Sequence, residues 1–175
     1  NAMFDLEPFP QRLLVVGGGP NGVELGQAMQ RLGAQVTLVH HGASILEKED
    51  PAIRAVLAER LHTEGLTIHL EAEVEAFASA TQARIKPKTG NSFPIDFDLV
   101  YVAIGRHVSF EGLALERAGV EVDEHGHIRL NEHLQTTNPD IFVAGDAANS
   151  LKFSHGAELH VRLLLFNFFS PIKKK

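Results

Sequence analysis

Residues 12–25 read RLLVVGGGPNGVEL: an apolar run, a glycine cluster, then the opening of a helical pattern. Arg12-Leu13-Leu14-Val15-Val16 lacks polar alternation, as a parallel strand buried on both faces does. It runs into Gly17-x-Gly19-x-x-Gly22. Each glycine of that spacing answers a physical demand. Gly17 permits a tight turn, Gly19 lets a pyrophosphate approach the backbone, and Gly22 lets the helix pack on the strand. Free N–H groups and the positive end of the helix dipole then face the anion. The helix is expected over Val23–Leu32, with Leu25, Ala28, Met29 and Leu32 at helical spacing and Gly33 past its end. The pattern reads as a dinucleotide-binding turn that includes Pro20 and Asn21; a ligand-free glycine connector is the alternative.

Working outward, Val36–Val39 is a second strand. Asp50-Pro51 supplies a helix N-cap with proline at the first helical position. Ile53, Val56, Leu57 and Leu61 form one apolar stripe that Gly65 stops, and 66–70 is a third strand. Strand-helix-strand-helix-strand implies an α/β fold built on a parallel sheet. Three short alternating segments follow (74–80, 83–86 and 92–95), broken by Lys88-Thr89-Gly90-Asn91, and predict an antiparallel meander. Leu99–Ala103 is another strand, with Gly105 beyond it. Residues 119–134 are polar and turn-rich, with a hairpin at Gly126. Ile141–Ala144 is a further apolar strand, closed by Gly145-Asp146. Residues 155–169 predict a helix that is apolar nearly all round from Leu163 to Phe169. Such a helix must be buried; with no cover evident in this chain, it is expected to drive self-association.

The end of the second strand is where a dinucleotide-binding fold reads the adenosine ribose. An acid there suits NAD and an arginine suits NADP. This chain has His40 and His41, with Lys48 farther along the loop. An imidazole accepts one hydroxyl bond when neutral and pairs with a phosphate when protonated. The lack of an acid leans the loop towards NADP(H); the alternative is that both histidines are solvated loop residues.

Composition narrows the rest. Of 175 residues, 44% are hydrophobic and 22% charged, which fits a globular chain, and the formal charge is −6. A net-acidic chain whose one basic run is Lys173–Lys175 is a poor partner for nucleic acid. No apolar stretch is long enough for a membrane span. There are no cysteines, which excludes disulfides, thiolate metal sites and a thiol nucleophile within these residues. Ten histidines invite a metal, but His155 and His160 are five apart and share no helix face, so none is expected. Asn1-Ala2-Met3 reads as an expression scar, and with nothing reading as a signal peptide a cytoplasmic location is expected.

With the second half in view, the chain resembles the pyridine-nucleotide–disulfide oxidoreductase family, and within it the dihydrolipoamide dehydrogenase and mercuric reductase group. The likeness rests on VVGGGPNGVEL (15–25), LGAQVT (32–37), Glu49-Asp50-Pro51, DLVYVAIGR (98–106), LERAGV (115–120), Leu134-Gln135-Thr136 and PDIFVAGD (139–146), in family order. It covers nearly everything from about Gln11. The resemblance implies an FAD domain that carries an inserted NAD(P) domain, followed by a dimerisation domain. Residues 11–130 would be the NAD(P)-binding insert, 131–175 an incomplete returning segment of the FAD domain, and 1–10 a lead-in. Asp146 would accept hydrogen bonds from the flavin ribityl chain, Glu24 would lie near the nicotinamide amide, and Gly105 would border the nicotinamide cleft. Each has a plain alternative: Asp146 as a helix cap, Glu24 as an acid favoured in the first helical turn, Gly105 as a strand end.

The chain departs from the family at Val108-Ser109, where a Pro-Asn pair is frequent. The family's first FAD glycine motif, its redox cysteine pair and its histidine–glutamate acid–base pair lie outside the residues present, so no catalytic residue is assigned here. The resemblance implies cofactors NAD or NADP, with FAD in the intact protein, which would be a homodimer. That protein would pass hydride from NAD(P)H to FAD and on to a disulfide or other acceptor, the fragment alone being inactive. The competing reading is a non-catalytic dinucleotide-binding or redox-sensing module.

Overall fold

The computed structural model describes residues 6–150 and 152–174, so Asn1-Ala2-Met3, read above as an expression scar, lies outside the described residues. The chain forms two compact units, Asn1–Gly105 and Arg106–Lys175. This division follows packing within the chain, whereas the expected boundary near residue 130 follows family ancestry.

The first unit alternates as the sequence predicts: β1 (Arg12–Val16), α1 (Pro20–Arg31), β2 (Gln35–Val39), α2 (Pro51–Thr63), β3 (Thr67–His69), the strands β4 (Ala72–Ser79), β5 (Gln82–Pro87) and β6 (Phe93–Asp96), then β7 (Leu99–Val102). Four strands pair in parallel in the order β3-β2-β1-β7, and β4-β5-β6 form an antiparallel meander. β1 lies between two neighbours, with Leu14 opposite Thr37 on one side and Val100 on the other. Its side chains alternate between two cores. Leu13 and Val15 pack with Val23, Met29, Val36, Leu38 and Leu61 under the helices. Leu14 packs with Val39, Ala83, Ile85 and Phe97 under the meander. The parallel sheet is therefore covered on both faces, which is why β1 is apolar without a break.

The helices depart from the sequence expectation in ways that matter for the site. α1 starts at Pro20, three residues before the predicted Val23, because proline at the first helical position has its φ already set. Its buried residues are Gly22, Val23, Gly26 and Met29; Ala28 and Leu32 of the predicted stripe are exposed. Glycine carries no apolar signal, yet it is what lets this face approach the sheet. α2 begins where expected, with Asp50 Oδ1 accepting from the N–H of Ala52 at 2.8 Å. Of its predicted stripe only Leu61 is fully buried, while Ile53 and Val56 are 64% and 68% exposed. The sheet edge beneath is the three-residue β3, too short to cover a longer stripe.

Two polar clusters tie the unit together. Asp98 accepts from the N–H groups of Gln11 and Arg12 and, through Oδ1, from the Arg12 guanidinium at 2.7 Å, joining the starts of β1 and β7. The Arg12 guanidinium, and then its N–H, holds the Asp98 carboxyl below the usual carboxylate range. Glu64, at the end of α2, is 13% exposed and accepts from Arg31 and Arg60 at 2.6 Å each and from Gln27 of α1 at 3.0 Å.

In the second unit the hairpin at Gly126 forms, although Val122 and Ile128 meet only as a single bridge. Asp123 Oδ1 accepts from the N–H of both His125 and His127 at 2.9 Å. The predicted strand 141–144 is not a strand: Phe142 meets Gln135 in a single bridge, and the flanking bonds run back to Leu134 and Thr136. An apolar run forms a strand only where a neighbour supplies a ladder, and here the chain turns back on itself through Asn138. α3 spans Ser154–Phe169, as predicted, but buries Gly156, His160 and Asn167 rather than its leucines. Leu159, Leu165, Phe168 and Phe169 are 59%, 52%, 53% and 86% exposed. Among the described residues no helix is long and apolar enough to cross a membrane.

The Glu64 bonds yield a pH prediction. Arg31, as the main cause, together with Gln27 and Arg60 lowers its carboxyl from the ordinary 4.5 to about 2. A depressed acid contributes stability in full above its unfolded value and loses it as pH falls through the folded one. Glu64→Gln should therefore lower the melting temperature at pH 7 and do little near pH 2. An equal loss at both pH values, read by thermal denaturation, would refute the assignment.

Candidate functional site: the glycine turn of the first unit

The turn between β1 and α1 sorts its glycines by the space around them. Gly17 has φ +113, and a Cβ there would lie 2.5 Å from the Ala103 carbonyl oxygen at the end of β7. A Cβ on Gly22 would lie 2.0 Å from the Gly17 carbonyl oxygen. Neither position admits a side chain. Gly19 is the opposite: nothing stands within 4 Å of where its Cβ would be. Its backbone is extended, at φ −77 and ψ −179, so any residue fits its conformation. The turn is thus closed on the protein side and open on the outer side at the middle glycine of the motif.

Hydrogen bonds fix this arrangement. Gly17 N–H donates to Val39 O at 2.8 Å, Leu46 N–H donates to Gly18 O at 2.8 Å, and Gly18 N–H donates to Nδ1 of His40 at 3.2 Å. The first α-helical bond runs from Val23 N–H to Gly19 O. α1 has no side-chain cap and no acid in its first turn. Pro20 has no N–H, and no protein acceptor among the described residues takes those of Asn21 and Gly22. Unpaired donors at a helix start, beside an open backbone, suit an anionic group with several oxygens. A dinucleotide diphosphate fits this cradle in chemistry and in access.

The other predicted residues fall as follows. Pro20 and Asn21 are exposed in the first turn of α1. Glu24 is exposed but stands past the first turn, because the helix starts at Pro20; the electrostatic account of a first-turn acid does not apply to it. His40 is 8% exposed and turned against the glycine turn, with its ring 4.6 Å from that of His41. Its pKa is lowered, chiefly by burial and then by His41, with Glu47 and the Ser44 backbone opposing. His41 and Lys48 are exposed. Gly105 has φ +134 and open space about it, two residues after Ala103. The first unit therefore brings together the turn residues and His40, with the end of β7 alongside.

Asp146 belongs to the second unit. It sits in a short 3-10 turn, Gly145–Ala148, that has no side-chain cap, so it caps no helix. Its carboxylate lies 3.7 Å from the Arg106 guanidinium. Sequence reasoning missed the residue that holds this turn. His160, 9% exposed, accepts from the N–H of Gly145 at 3.0 Å through Nδ1, and its Nε2 lies 2.9 Å from Ser150 Oγ. The helical pattern was visible around His160, but nothing in the sequence pointed its ring at Gly145.

Known proteins can be set beside this geometry. Dihydrolipoyl dehydrogenase from Thermus scotoductus is 37% identical over 155 residues, which cover 86% of this chain and 34% of that enzyme. Mercuric reductase from Staphylococcus aureus is 34% identical over 175 residues, covering 98% of this chain and 32% of that enzyme. Among solved structures, the HOCl-induced flavoprotein disulfide reductase RclA from Escherichia coli matches with a TM-score of 0.87 at 26% identity, covering 99% of this chain and 39% of that one. The chain thus spans about a third of the length of the curated relatives it matches. The family model described as pyridine nucleotide-disulphide oxidoreductase matches residues 2–160. On the strength of that match and of the turn from β1 into α1, the chain belongs to the pyridine nucleotide-disulphide oxidoreductase family.

Proposed function

We propose that this chain docks NAD(P)H for an FAD-dependent oxidoreductase. In the intact protein, hydride would pass to the flavin and electrons on to a disulfide or another acceptor. The observation that carries the docking role is the contrast among the three glycines: two are crowded to the point of excluding a methyl group, and the third faces empty space. The redox chemistry is supplied by the nicotinamide and the flavin themselves. The part of this chain's residues is binding and orientation. The Asn21 and Gly22 N–H groups would receive the diphosphate oxygens, the α1 dipole would favour their charge, and the open space beside Gly19 would let them approach. His41 and Lys48, both exposed and cationic when protonated, favour a coenzyme 2′-phosphate and so NADPH.

The remaining assignments follow family likeness. Glu24 is proposed near the nicotinamide amide, Gly105 at the edge of the nicotinamide cleft, and Asp146, with Arg106 beside it, toward the flavin ribityl chain. Residues 11–130 are proposed as the NAD(P)-binding domain and 131–175 as the returning part of the FAD domain, in a cytoplasmic homodimer. In the intact protein the rest of the FAD domain would cover the exposed apolar residues of α3; in this chain by itself they are proposed to pair with a second copy, since so large an apolar patch is rarely left wet.

Calorimetric titration with NADH and NADPH tests the docking role. The wild-type chain should bind at least one, with NADPH tighter. Gly19→Ala should melt as the wild type does yet bind at least about tenfold more weakly, because its methyl group occupies only the approach path of the diphosphate. Gly22→Ala should lose roughly 2 kcal/mol or more of stability, because its methyl group meets backbone. Failure of both coenzymes to bind, or undiminished binding by Gly19→Ala, would refute the reading. His41→Ala should abolish the preference for NADPH; NADPH affinity that survives it would remove the lean.

Two further outcomes concern the chain on its own. It should purify colourless and show no reductase turnover, and copurified flavin near one equivalent would contradict this. Light scattering should give at least a dimer, which Leu165→Glu with Phe169→Glu should dissociate; a monodisperse wild-type monomer would rule out the α3 contact.

A further inference from the structure

We propose that His40 is a positioning residue for the glycine turn: a neutral imidazole whose Nδ1 lone pair holds the Gly18 N–H and keeps the turn in its binding shape. This rests on the reading that the turn receives a dinucleotide diphosphate. Three hydrogen bonds pin the backbone of Gly17 and Gly18, and two of them end on backbone groups of Val39 and Leu46. The third ends on the His40 ring, the one side chain in the set. The contact is steric as well as polar, because a Cβ on Gly18 would lie 2.9 Å from the ring Cγ. On the far side, a Cβ on Gly42 would lie 2.8 Å from Nε2. The ring is thus wedged between two glycines and 8% exposed.

The chemistry specifies one protonation state. Gly18 N–H is a donor, so Nδ1 must be an unprotonated acceptor and the proton of a neutral ring must sit on Nε2. Burial disfavours the charged form, as does His41, while Glu47 and the Ser44 backbone favour it. A charged ring would set a second N–H against that of Gly18. A carboxylate here would also accept the bond, but it would add a negative charge next to the proposed diphosphate. A neutral imidazole supplies the acceptor without the charge. It also follows that His40, facing inward, is not the group that reads the ribose; that role falls to exposed residues of the same loop, His41 first.

Two variants of the present chain, one isosteric in its acceptor and one without any, separate this role from mere filling of space. His40→Asn places an amide oxygen near the Nδ1 position, and His40→Leu keeps bulk without an acceptor. Expected for His40→Leu are a loss of NADPH affinity of about tenfold and fast hydrogen exchange at the Gly18 amide; Asn should restore both to near wild type. In the wild type, long-range 1H–15N spectra should show His40 with Nδ1 bare and Nε2 protonated at neutral pH. A protonated Nδ1, or a folded His40→Leu chain that binds NADPH normally and protects Gly18, would overturn the proposal. Should His40→Leu fail to fold, the Asn variant and the wild-type tautomer still decide it. Should the wild type bind neither coenzyme, the docking reading falls by itself. The wild-type tautomer and the Gly18 exchange then decide whether His40 holds the turn.

Discussion

The approach of α1 to β1 at Gly22 is the constraint on which the first unit depends. With a Cβ 2.0 Å from the Gly17 carbonyl, the helix could not begin at Pro20 directly above the strand end. Everything that makes the turn useful follows from that closeness. The helix N-terminus stays tight against the sheet, its first donors emerge beside the end of β7, and Gly19 is carried to the outer side of the bend. The Gly17 site closes the same bend from the other direction, against the Ala103 carbonyl. Close packing thus produces the open face: the chain can present bare backbone outward only because two other glycines let it fold flat.

Buried donors shape the rest. An N–H out of reach of water needs an acceptor, and a sharp glycine turn removes the ladder partners that would normally serve. In both units the acceptor is an imidazole Nδ1, His40 for Gly18 and His160 for Gly145. A neutral imidazole is well suited, since it accepts a bond without placing negative charge near the turn. The carboxylates stand elsewhere. Asp98 and Glu64 lock element ends together where arginines face them. Asp146 carries its charge against Arg106. Asp98 and Glu64 stabilise the frame, while the first turn of α1 carries no acid; the carboxylate that acts on His40 is that of Glu47.

What was legible in the sequence was what repeats at short range. β1, the glycine turn, the proline-started α2 with its Asp50 cap and the meander could be read from spacing and turn residues, and the structure has them. The misreadings share a cause. The buried face of α1 runs through Gly22 and Gly26, which carry no apolar signal. The stripe on α2 was periodic, but burial needs a sheet beneath it and β3 is short. Residues 141–144 have strand composition without a ladder neighbour. In α3 the buried positions are a glycine, a histidine and an asparagine, the last of which holds the Lys174 backbone through Oδ1 at 2.7 Å and Nδ2 at 2.9 Å.

Taken alone, the sequence determined the alternation of strand and helix and the place of the glycine bend, because hydrophobic period and backbone freedom act over a few residues. It also carried the family likeness, through motifs in a fixed order. Only the tertiary structure decided which way His40 faces, which of the three glycines meets empty space, and that His160 holds Gly145. Those outcomes depend on groups brought together from distant positions: Gly18 and His40 are 22 residues apart, Gly145 and His160 15. No local pattern encodes the direction of a ring or the space beside a backbone atom; packing sets both.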